Sequence, residues 1–453
     1  MLEFVLRRGN ANYLKLHVIS GLLLILPLCI SCDSNNPIQP TVPSDNSKVL
    51  WECVVGDSEQ RSSIRHIVVD DNLRLYLAGI LNYKNTIWKI SSGGDIEWAR
   101  TLDFRAEGLD AVNCPSIAVD ELILIWGNNI VNERERAVLL LVNLDGEIVQ
   151  QYRFEHNEYD IWIKDIESME NDGVDTLFVG GGKAHKDDQS YPYMCRFSLS
   201  NEGNIEIRNE NVLTDHVDEY IHNMTWNKKI SAPEYFAILG GVTDYKVLGC
   251  SATFKELWNQ TELPNHERWA YYKQIVYNEG TIYIAGTSYI LKGDKYWWAG
   301  NVSAIRESGE YEWARIIELS NYDDVYFDCC VENGVLYAAG RKSGVPEKAT
   351  NHYYGSALIS KYDLSTGETV SHSSFGNKHY YSSFISIHHD GIRLFCGGVT
   401  QYFIYDYWFK GWIVEVDDGA FPDKTRTEGI QIVPKGISAV TPESAGQNGI
   451  PKL

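Results

Sequence analysis

The sequence has little positive charge. It carries 40 lysine and arginine residues against 61 aspartate and glutamate residues, so the net charge is -21 over 453 residues. Proteins that bind DNA or RNA present a basic surface to the phosphates, and this balance therefore argues against a nucleic-acid partner. Apolar residues nevertheless make up 44% of the chain, which is typical of a folded protein with a sizeable core.

Long hydrophobic runs are also lacking. The one candidate, residues 18–28, has about half of the roughly 20 residues that a membrane-spanning helix needs. Because it follows a basic stretch, it indicates a secretory signal. The residues that end this segment, Leu28-Cys29-Ile30-Ser31-Cys32, resemble a bacterial lipobox. That resemblance implies that residues 1–31 are a lipoprotein signal peptide and that Cys32 is the lipidated first residue of the mature chain; an ordinary signal peptide cleaved nearby is the alternative.

The segment after Cys32 has nothing to pack. Residues 32–47 carry Pro37, Pro40 and Pro43 among asparagine, serine and threonine, a composition typical of an extended tether. A lipid, a tether and a globular body form the layout of an envelope lipoprotein. We therefore expect the protein in the bacterial cell envelope, held to the membrane by its N-terminal lipid, with the outer membrane favoured and the leaflet left open.

Cysteine motifs that could hold a metal are missing. Apart from Cys29 and Cys32, no two cysteines form a C-x-x-C pair, and most of the others lie in or beside apolar runs, where cysteine behaves as a small hydrophobe. His388-His389 has no second pair of ligands near it in the sequence. We therefore expect no disulfide framework, no metal site and no cofactor.

The sequence does contain a repeat. A short apolar run ending in glycine occurs seven times, with intervals of 48, 53, 60, 46, 54 and 57 residues between the glycines. A period of about 50 residues is typical of β-propellers. Hairpin signals before and after each run predict four antiparallel strands per copy, which is one propeller blade. The repeat glycines are Gly79, Gly127, Gly180, Gly240, Gly286, Gly340 and Gly397.

The seventh copy stops after its third strand, residues 411–416. The missing strand is found at residues 49–54, where Trp51 matches Trp98 and Trp313 of complete copies. Pairing these ends would close the ring and remove a free sheet edge. We therefore predict an all-β, seven-bladed propeller of four-stranded antiparallel blades over residues 48–419, closed by the N-terminal strand and followed by a tail over residues 420–453.

Two resemblances accompany this repeat. The order of apolar run, glycine, third strand, turn and tryptophan is similar to that of kelch-like and pyrroloquinoline-quinone-type propeller repeats. It is a resemblance of the blade alone and implies no quinone cofactor. A lipoprotein built from such repeats also resembles the scaffold lipoprotein of outer-membrane protein assembly, which has eight blades.

The long connections of the propeller carry most of the exposed aromatic candidates. Second-to-third loops share one face with fourth-to-first loops, and two of them, residues 287–299 and 401–410, are rich in Tyr and Trp. Such rings suit a sugar or a peptide side chain, although rings of this kind can also wedge between blades as core. The predicted ligand-binding residues are Tyr289, Trp297, Trp298, Tyr405 and Trp408.

Carboxylates on the same face leave an enzyme open as an alternative. Asp323, Asp324 and Asp328 form one group and Asp218-Glu219 another, and paired carboxylates are the machinery of glycoside hydrolysis. No nucleophile elbow or phosphate-binding loop is present. The leading hypothesis is a non-catalytic envelope protein that binds a glycan, a peptide or a protein through this face. The alternatives are a scaffold lipoprotein of an envelope assembly machine and a carbohydrate-active hydrolase or lyase.

Overall fold

The computed structural model describes residues 49–55, 61–70, 73–112, 122–131, 134–154, 156–169, 176–200, 204–227, 234–240, 245–260, 270–292, 295–319, 323–343, 355–376, 381–401, 409–417 and 443–444. All of them belong to one compact unit, residues 43–453, and the other unit, residues 1–42, lies outside the described part. Cys32 and the predicted tether are therefore not among the described residues. No described helix is long and apolar enough to cross a membrane.

The described residues form strands and turns. The strands are β1 (Val49–Val55), β2 (Ser62–Val69), β3 (Leu75–Leu81), β4 (Lys84–Ile90), β5 (Ile96–Thr101), β6 (Arg105–Val112), β7 (Leu122–Val131), β8 (Arg134–Asn143), β9 (Ile148–Arg153), β10 (Asp160–Ser168), β11 (Thr176–Lys186), β12 (Gln189–Leu199), β13 (Ile205–Val212), β14 (Tyr220–Trp226), β15 (Tyr235–Gly240), β16 (Tyr245–Cys250), β17 (Glu256–Gln260), β18 (Ala270–Asn278), β19 (Thr281–Lys292), β20 (Lys295–Arg306), β21 (Tyr311–Ile317), β22 (Asp324–Glu332), β23 (Val335–Ser343), β24 (Gly355–Asp363), β25 (Thr369–Phe375), β26 (Ser382–His389), β27 (Arg393–Gln401), β28 (Phe409–Asp417) and β29 (Glu443–Ser444).

These strands make seven antiparallel sheets, which confirms the predicted seven-bladed propeller. Blades one to six are β2–β5, β6–β9, β10–β13, β14–β17, β18–β21 and β22–β25, and blade seven is β26–β28 with β1. Consecutive strands are neighbours in every blade. The first strands of successive blades also contact one another, from β2 round to β26 and back to β2. They therefore surround the central channel.

The N-terminal strand closes the ring as predicted. β1 pairs antiparallel with β28, and Trp51 lies opposite Glu415 just before a register shift. Trp98 lies opposite Lys89, and Trp313 opposite Ala304, at the same place relative to the shift in their own blades. The backbone register of Trp51 therefore matches that of the two tryptophans with which the sequence aligned it. On the outer edge of blade one, β29 adds a short parallel strand to β5.

Every first strand contains a β-bulge at the same place. One residue has no partner in the ladder with the second strand, and the strand bends there. A bulge on the innermost strand re-aims one side chain per blade. These seven bulge residues are Arg65, Glu107, Lys164, His222, Lys273, Phe327 and Ile385.

The repeat glycine is explained by this bulge. Gly79 lies opposite Ile64, the residue before the bulge, and a Cβ on Gly79 would lie 1.9 Å from the carbonyl oxygen of Ser63. Only glycine tolerates so close a backbone. The same approach occurs at Gly127, Gly182, Gly286, Gly340 and Gly398.

Three of the seven repeat glycines identified in the sequence do not lie opposite the residue before the bulge. In blades three and seven the matching residues are Gly182 and Gly398, not Gly180 and Gly397. In blade four Leu239 takes the position opposite Ile221, not Gly240. The glycine doublets and the neighbouring glycines had shifted the alignment by one or two residues.

Tryptophan on a fourth strand anchors the next blade. Trp313 Nε1 donates to the Leu364 carbonyl at 2.9 Å, and its ring lies against Gly367, which has a φ of +67°. Asn209 makes the corresponding bond from blade three, to the Ala252 carbonyl at 3.2 Å. The other members of this contact are Trp98 on Leu144 and Trp258 on Glu307.

The core lies between the blades, because each sheet buries both faces against its neighbours. A representative cluster joins Tyr283 and Val302 of blade five to Tyr326, Leu336 and Leu358 of blade six, all at most 5% exposed. Burial of this apolar surface stabilises the ring at roughly 25 cal/mol per Å².

Cysteine contributes to this core as an apolar residue. Cys53, Cys195, Cys250, Cys329 and Cys396 are buried thiols with no disulfide. Burial raises the pKa of the thiols of Cys53, Cys195 and Cys250 to about 12. A thiol with so high a pKa is not a nucleophile near neutral pH.

Candidate ligand-binding face

Antiparallel order fixes what shares a face. First strands begin, second strands end and third strands begin at one end of the propeller, which we call the long-loop face. Residues early in β10, β14 and β18 therefore lie near residues late in β19 and early in β16 and β20. These positions belong to blades three, four and five, which are consecutive around the channel.

A continuous series of aromatic rings follows this face across the three blades. We call it the ring row. Ring centroids are separated by 6.4 Å for Trp162–Tyr220, 6.2 Å for Tyr220–His222, 5.7 Å for His222–Tyr245, 5.2 Å for Tyr245–Tyr271, 5.1 Å for Tyr271–Trp298, 4.6 Å for Trp298–Tyr289 and 5.0 Å for Tyr289–Tyr296.

Most of the rings are neither fully buried nor freely exposed. Tyr245 belongs to the core and is 7% exposed, and the other seven members have intermediate exposure. Each of these seven rings therefore packs by one part and leaves another accessible. Contacts at 4.6–6.4 Å are within the range in which aromatic pairs attract one another, so the rings hold one another in place before any ligand binds.

Blade six fixes the far end of the row. Asp323 Oδ1 accepts a hydrogen bond from the backbone N–H of Trp298 at 2.9 Å. Trp298 in turn pairs with Tyr289 across the β19–β20 ladder. Tyr289 and Tyr296 stack with an interplanar angle of 11°. A carboxylate from the next blade thus sets the position of three rings.

The structure brings together some of the predicted binding residues. Tyr289 and Trp298 belong to the ring row, but the prediction of a long loop over residues 287–299 is wrong, because residues 287–292 and 295–299 belong to β19 and β20. Trp297 lies opposite Ile290 in the ladder, with intermediate exposure, and its side chain points to the other side of the strand from its neighbour Trp298. Tyr405 and Trp408 lie outside the described residues.

Sequence analysis missed the middle of the row. His222, Tyr245 and Tyr271 connect its two ends, and they lie on β14, β16 and β18, outside the two segments rich in aromatic residues from which the site was predicted. Their positions in the strands would have identified them as part of this face only if the position of the β-bulge in each first strand had been known. His222 is itself the bulge residue of blade four.

Cations adjoin the ring row from the channel side. Lys183 Nζ lies 4.5 Å from the Trp162 ring centroid, Lys164 Nζ lies 5.9 Å from it, and Lys273 Nζ lies 5.9 Å from that of Tyr245. These distances are within the range of cation–π attraction. Lys164 and Lys273 are bulge residues of blades three and five, on either side of His222 in blade four.

The charges around the channel favour the neutral form of its histidines. Burial, followed by the nearby charges of Lys273 and Lys164, lowers the pKa of His222 to about 3. Burial, with Lys164 and Arg65, lowers the pKa of His66 to about 3. Burial and the charge of Lys164 lower the pKa of Lys273. These couplings indicate that cations from blades one, three and five lie near one another.

Only part of this positive charge is neutralised within the described residues. Glu107, a buried bulge residue, pairs with Lys164 and with Arg105. Asp165 Oδ2 is held by the Met224 amide at 2.9 Å. No ion pair with a described carboxylate involves Lys273 or Arg65.

A cavity of about 330 Å³ lies on the same face between blades one and seven. Two of its rings are open to solvent, because Tyr83 is 69% exposed and Phe409 is 38% exposed. Tyr405 and Trp408 precede Phe409 closely in the sequence. The lining residues are Arg61, Ser62, Ser63, Ile80, Tyr83, Tyr381, Val399 and Phe409.

The carboxylates proposed as catalytic alternatives bind neighbouring groups of the protein. Asp324 is buried and accepts hydrogen bonds from the amides of Leu319 and Ser343. Asp328 accepts from the amides of Ile387 and Cys329.

Glu219 is similarly engaged. Its two oxygens contact His216 Nδ1 at 2.9 Å and Lys246 Nζ at 2.6 Å. Together with Asp323, which holds the amide of Trp298, these contacts give the carboxylates structural roles. In the described part of the chain, no group of three or more His, Cys, Asp or Glu side chains is placed to hold a metal ion.

Comparison with known proteins adds a likeness of fold alone. No protein-family model matches the sequence, and no curated protein matches it. The crystal structure of BBS1N in complex with ARL6DN is 10% identical and covers 85% of this chain and 100% of that chain, with a TM-score of 0.47. Virginiamycin B lyase from Staphylococcus aureus is 12% identical, with coverage of 80% and 98% and a TM-score of 0.44. Chaetomium thermophilum Sqt1 is 9% identical, with 81%, 97% and 0.44. The propeller assignment rests on the strand pairing described above.

Proposed function

We propose that the protein is a non-catalytic, lipid-anchored propeller of the bacterial cell envelope that binds a glycan through the ring row. The ring row is the observation that carries this proposal. Sugar rings are apolar on their faces and polar at their edges, and tyrosine, tryptophan and histidine rings combine the same two properties. A row of half-buried rings on a rigid sheet therefore offers a glycan several stacking positions in succession.

The shape of the site favours a glycan over a folded protein partner. Loops and strand ends on a rigid scaffold are where binding residues concentrate, and the ring row is held from both sides by strands of blades three to six. One stacked ring contributes on the order of 1 kcal/mol. Several rings acting together are needed for a useful affinity, and the row contains seven rings of intermediate exposure.

A binding role without catalysis is supported by the fate of the carboxylates. Glycoside hydrolysis needs one carboxylic acid and one carboxylate facing each other across the bond to be cleaved. Asp323, Asp324 and Asp328 instead accept backbone amides, and Glu219 forms ion pairs. Removing the carboxylate of Asp323, Asp324 or Asp328 would leave a backbone N–H unpaired, which is costly when it is buried.

The lipid anchor rests on the sequence around Cys32. Metabolic labelling with a fatty-acid analogue should mark the wild type and leave Cys32→Ala unlabelled. Envelope fractionation of the labelled protein would then locate it in the inner or the outer membrane. A wild type that takes up no label would contradict the anchor and leave the binding function to be judged on its own.

The binding function is tested with a glycan and peptide array probed by the full chain purified in detergent. Tyr289→Ala combined with Trp298→Ala should reduce binding to any glycan found by about tenfold or more, since two stacking positions are lost. Ile392→Ala, which truncates an apolar side chain that is 75% exposed in a hairpin on the opposite face, is the matched control. A glycan bound equally well by the double variant would contradict the proposal.

A protein partner is the second candidate function, and the cavity between blades one and seven favours it. Its apolar walls and its exposed Tyr83 and Phe409 suit an aliphatic or aromatic side chain of a peptide. In that case Tyr83→Ala would reduce peptide binding on the array, whereas the double variant in the ring row would not.

A further inference from the structure

The cations near the ring row are unusual in a chain with a net charge of -21. Arg65, Lys164 and Lys273 are bulge residues of blades one, three and five, so the fold itself aims them inward. Lys183 joins them from the second strand of blade three, where it lies opposite Trp162. The net negative charge of the chain repels anions at long range, whereas these cations lie together beside the rings.

Basic bulge residues and the ring row coincide at blades three to five. The bulge residues of blades six and seven, Phe327 and Ile385, are apolar. The bulge residues of blades three to five are Lys164, His222 and Lys273, and these are the blades that carry the ring row. Positive charge and stacking surface therefore occur at the same part of the face.

We infer that the ligand of the ring row is an acidic glycan whose sugars carry carboxylate groups, with Lys273 and Lys164 binding those groups while the rings stack on the sugars. This inference rests on the proposed function. Lys273 Nζ lies over the Tyr245 ring and Lys183 Nζ over the Trp162 ring. Each cation is therefore held at a ring of the row, where it would meet a carboxylate on the edge of a sugar stacked on a neighbouring ring.

Lys273 is the cation best able to bind a ligand. It has no ion pair among the described residues, whereas Lys164 already pairs with Glu107. Its pKa is lowered by burial and by Lys164, so an arriving carboxylate would relieve a repulsion as well as form a charge-assisted hydrogen bond.

Two buried polar atoms in the row point the same way. Nδ1 of His222 and Nε1 of Trp162 are buried and make no hydrogen bond to another described residue. Buried polar groups are nearly always paired. The row thus holds two hydrogen-bonding atoms without a partner among the described residues.

The test compares two forms of one polymer, polygalacturonate and its fully methyl-esterified counterpart, which share the same sugars and differ in charge. The full chain in detergent should bind polygalacturonate and bind the ester at least about fivefold more weakly, as loss of half-exposed ion pairs would give. Raising NaCl from about 50 mM to about 500 mM should weaken the first interaction and leave the second nearly unchanged.

Variants separate the two levels of the proposal. Lys273→Gln should reduce polygalacturonate binding about fivefold and leave binding of the ester unchanged. Lys255→Gln, which removes one exposed lysine from a third-to-fourth turn on the opposite face, should change neither. Poly-glutamate tests an acidic peptide as the ligand and should bind weakly and independently of Tyr289 and Trp298.

Each contrary result has one meaning. Equal binding of polymer and ester, or an unchanged affinity in Lys273→Gln, would overturn the acidic-glycan inference while leaving a neutral-glycan function intact if the double ring variant still loses binding. Binding of neither polymer would also overturn it. Poly-glutamate binding as tight as polygalacturonate would show a general polyanion site and overturn it as well.

Discussion

Asp328 Oδ2 in blade six accepts a hydrogen bond from the backbone N–H of Ile387 in blade seven at 2.8 Å. In blades three and four the residue after the bulge accepts the same kind of bond from the next blade. Asp165 Oδ2 accepts from the Met224 N–H at 2.9 Å, and Asn223 Oδ1 accepts from the Ile275 N–H at 3.1 Å. These bonds join the inner strands of neighbouring blades around the channel. Aspartate and asparagine are interchangeable here because the bond uses an oxygen acceptor.

The charge of Asp328 predicts a pH-dependent stability. Burial raises the pKa of Asp328 from 3.8 to about 7, and Asp165 across the channel adds to the rise. An acid whose pKa is higher in the folded than in the unfolded state stabilises the fold fully at pH below about 4, and that stability is lost as the pH rises to about 7. Asp328→Asn removes the charge and keeps one oxygen acceptor for the Ile387 N–H, whereas the Cys329 N–H, which donates to Asp328 Oδ1 in the wild type, loses its acceptor.

We therefore expect the stability of Asp328→Asn relative to the wild type to increase by about 1–2 kcal/mol between pH 4 and pH 8. Thermal unfolding of both proteins at several pH values is the measurement. Asn223→Asp, at the same position in blade four, should introduce the opposite trend and lose stability as the pH rises. Glu52, whose pKa burial also raises to about 7, should keep part of the pH dependence in the Asp328 variant. Parallel curves for Asp328→Asn and the wild type would contradict the account.

The turn glycines predict a difference between two similar substitutions. Gly367 and Gly334 both have a positive φ, +67° and +77°, but a Cβ on Gly367 would lie 2.5 Å from the Trp313 ring, whereas nothing lies within 4 Å at Gly334. Both alanines pay about 1 kcal/mol for the left-handed backbone.

Gly367→Ala should cost a further 1–3 kcal/mol or so, because the Trp313 anchor to blade six must shift. Chemical denaturation would give the two free energies of unfolding. Trp313→Phe is the companion variant, since it removes the bond to the Leu364 carbonyl without adding a methyl group. Equal losses of unfolding free energy in Gly367→Ala and Gly334→Ala would show that the Trp313 ring can move aside at no measurable cost.

The closure of the ring predicts a strong effect of a short deletion. Removing residues 48–55 leaves β28 unpaired along its outer edge, and an open edge strand is prone to aggregation. The deletion variant should unfold or aggregate at a much lower temperature than the wild type. Deletion of residues 33–47, in the predicted tether, is the control and should leave the melting temperature unchanged. A normal melting temperature after the first deletion would mean that β1 contributes little to blade seven.

Much of the fold could be predicted from the sequence because a blade repeats its own signals. Hairpin turns such as Asn333-Gly334 and the shared strings around Trp98 and Trp313 recur at one period, and a strand missing from one end was found at the other. The repeat of blade three was aligned on Gly180, whereas Gly182 makes the close approach at the bulge. The sequence does not show which of the three consecutive glycines takes that position.

The binding face was harder to predict, since its parts come from three blades. Tyr289 and Trp298 were identified from a loop rich in aromatic residues, and both belong to the ring row. His222 and Tyr271 were not, because a single ring in a strand has no local feature that separates a channel position from a core position. That distinction requires the register of each first strand against its second strand.

Asp323 belongs to the cluster of aspartates that the sequence offered as catalytic, and it also contacts the ring row. Variants at this position can therefore distinguish a binding role from a catalytic one. Its Oδ1 holds the amide of Trp298 at 2.9 Å, so it is a positioning residue. Asp323→Ala should leave this amide without its acceptor and let Trp298 shift, with glycan binding reduced about threefold to tenfold. Asp323→Asn keeps an oxygen acceptor at the same place and should bind nearly as the wild type does, with the same tryptophan fluorescence. An Asp323→Asn variant that binds the glycan normally but loses a measurable cleavage of it would instead assign Asp323 a catalytic role and favour the hydrolase or lyase alternative, because only the ability to ionise distinguishes the two side chains.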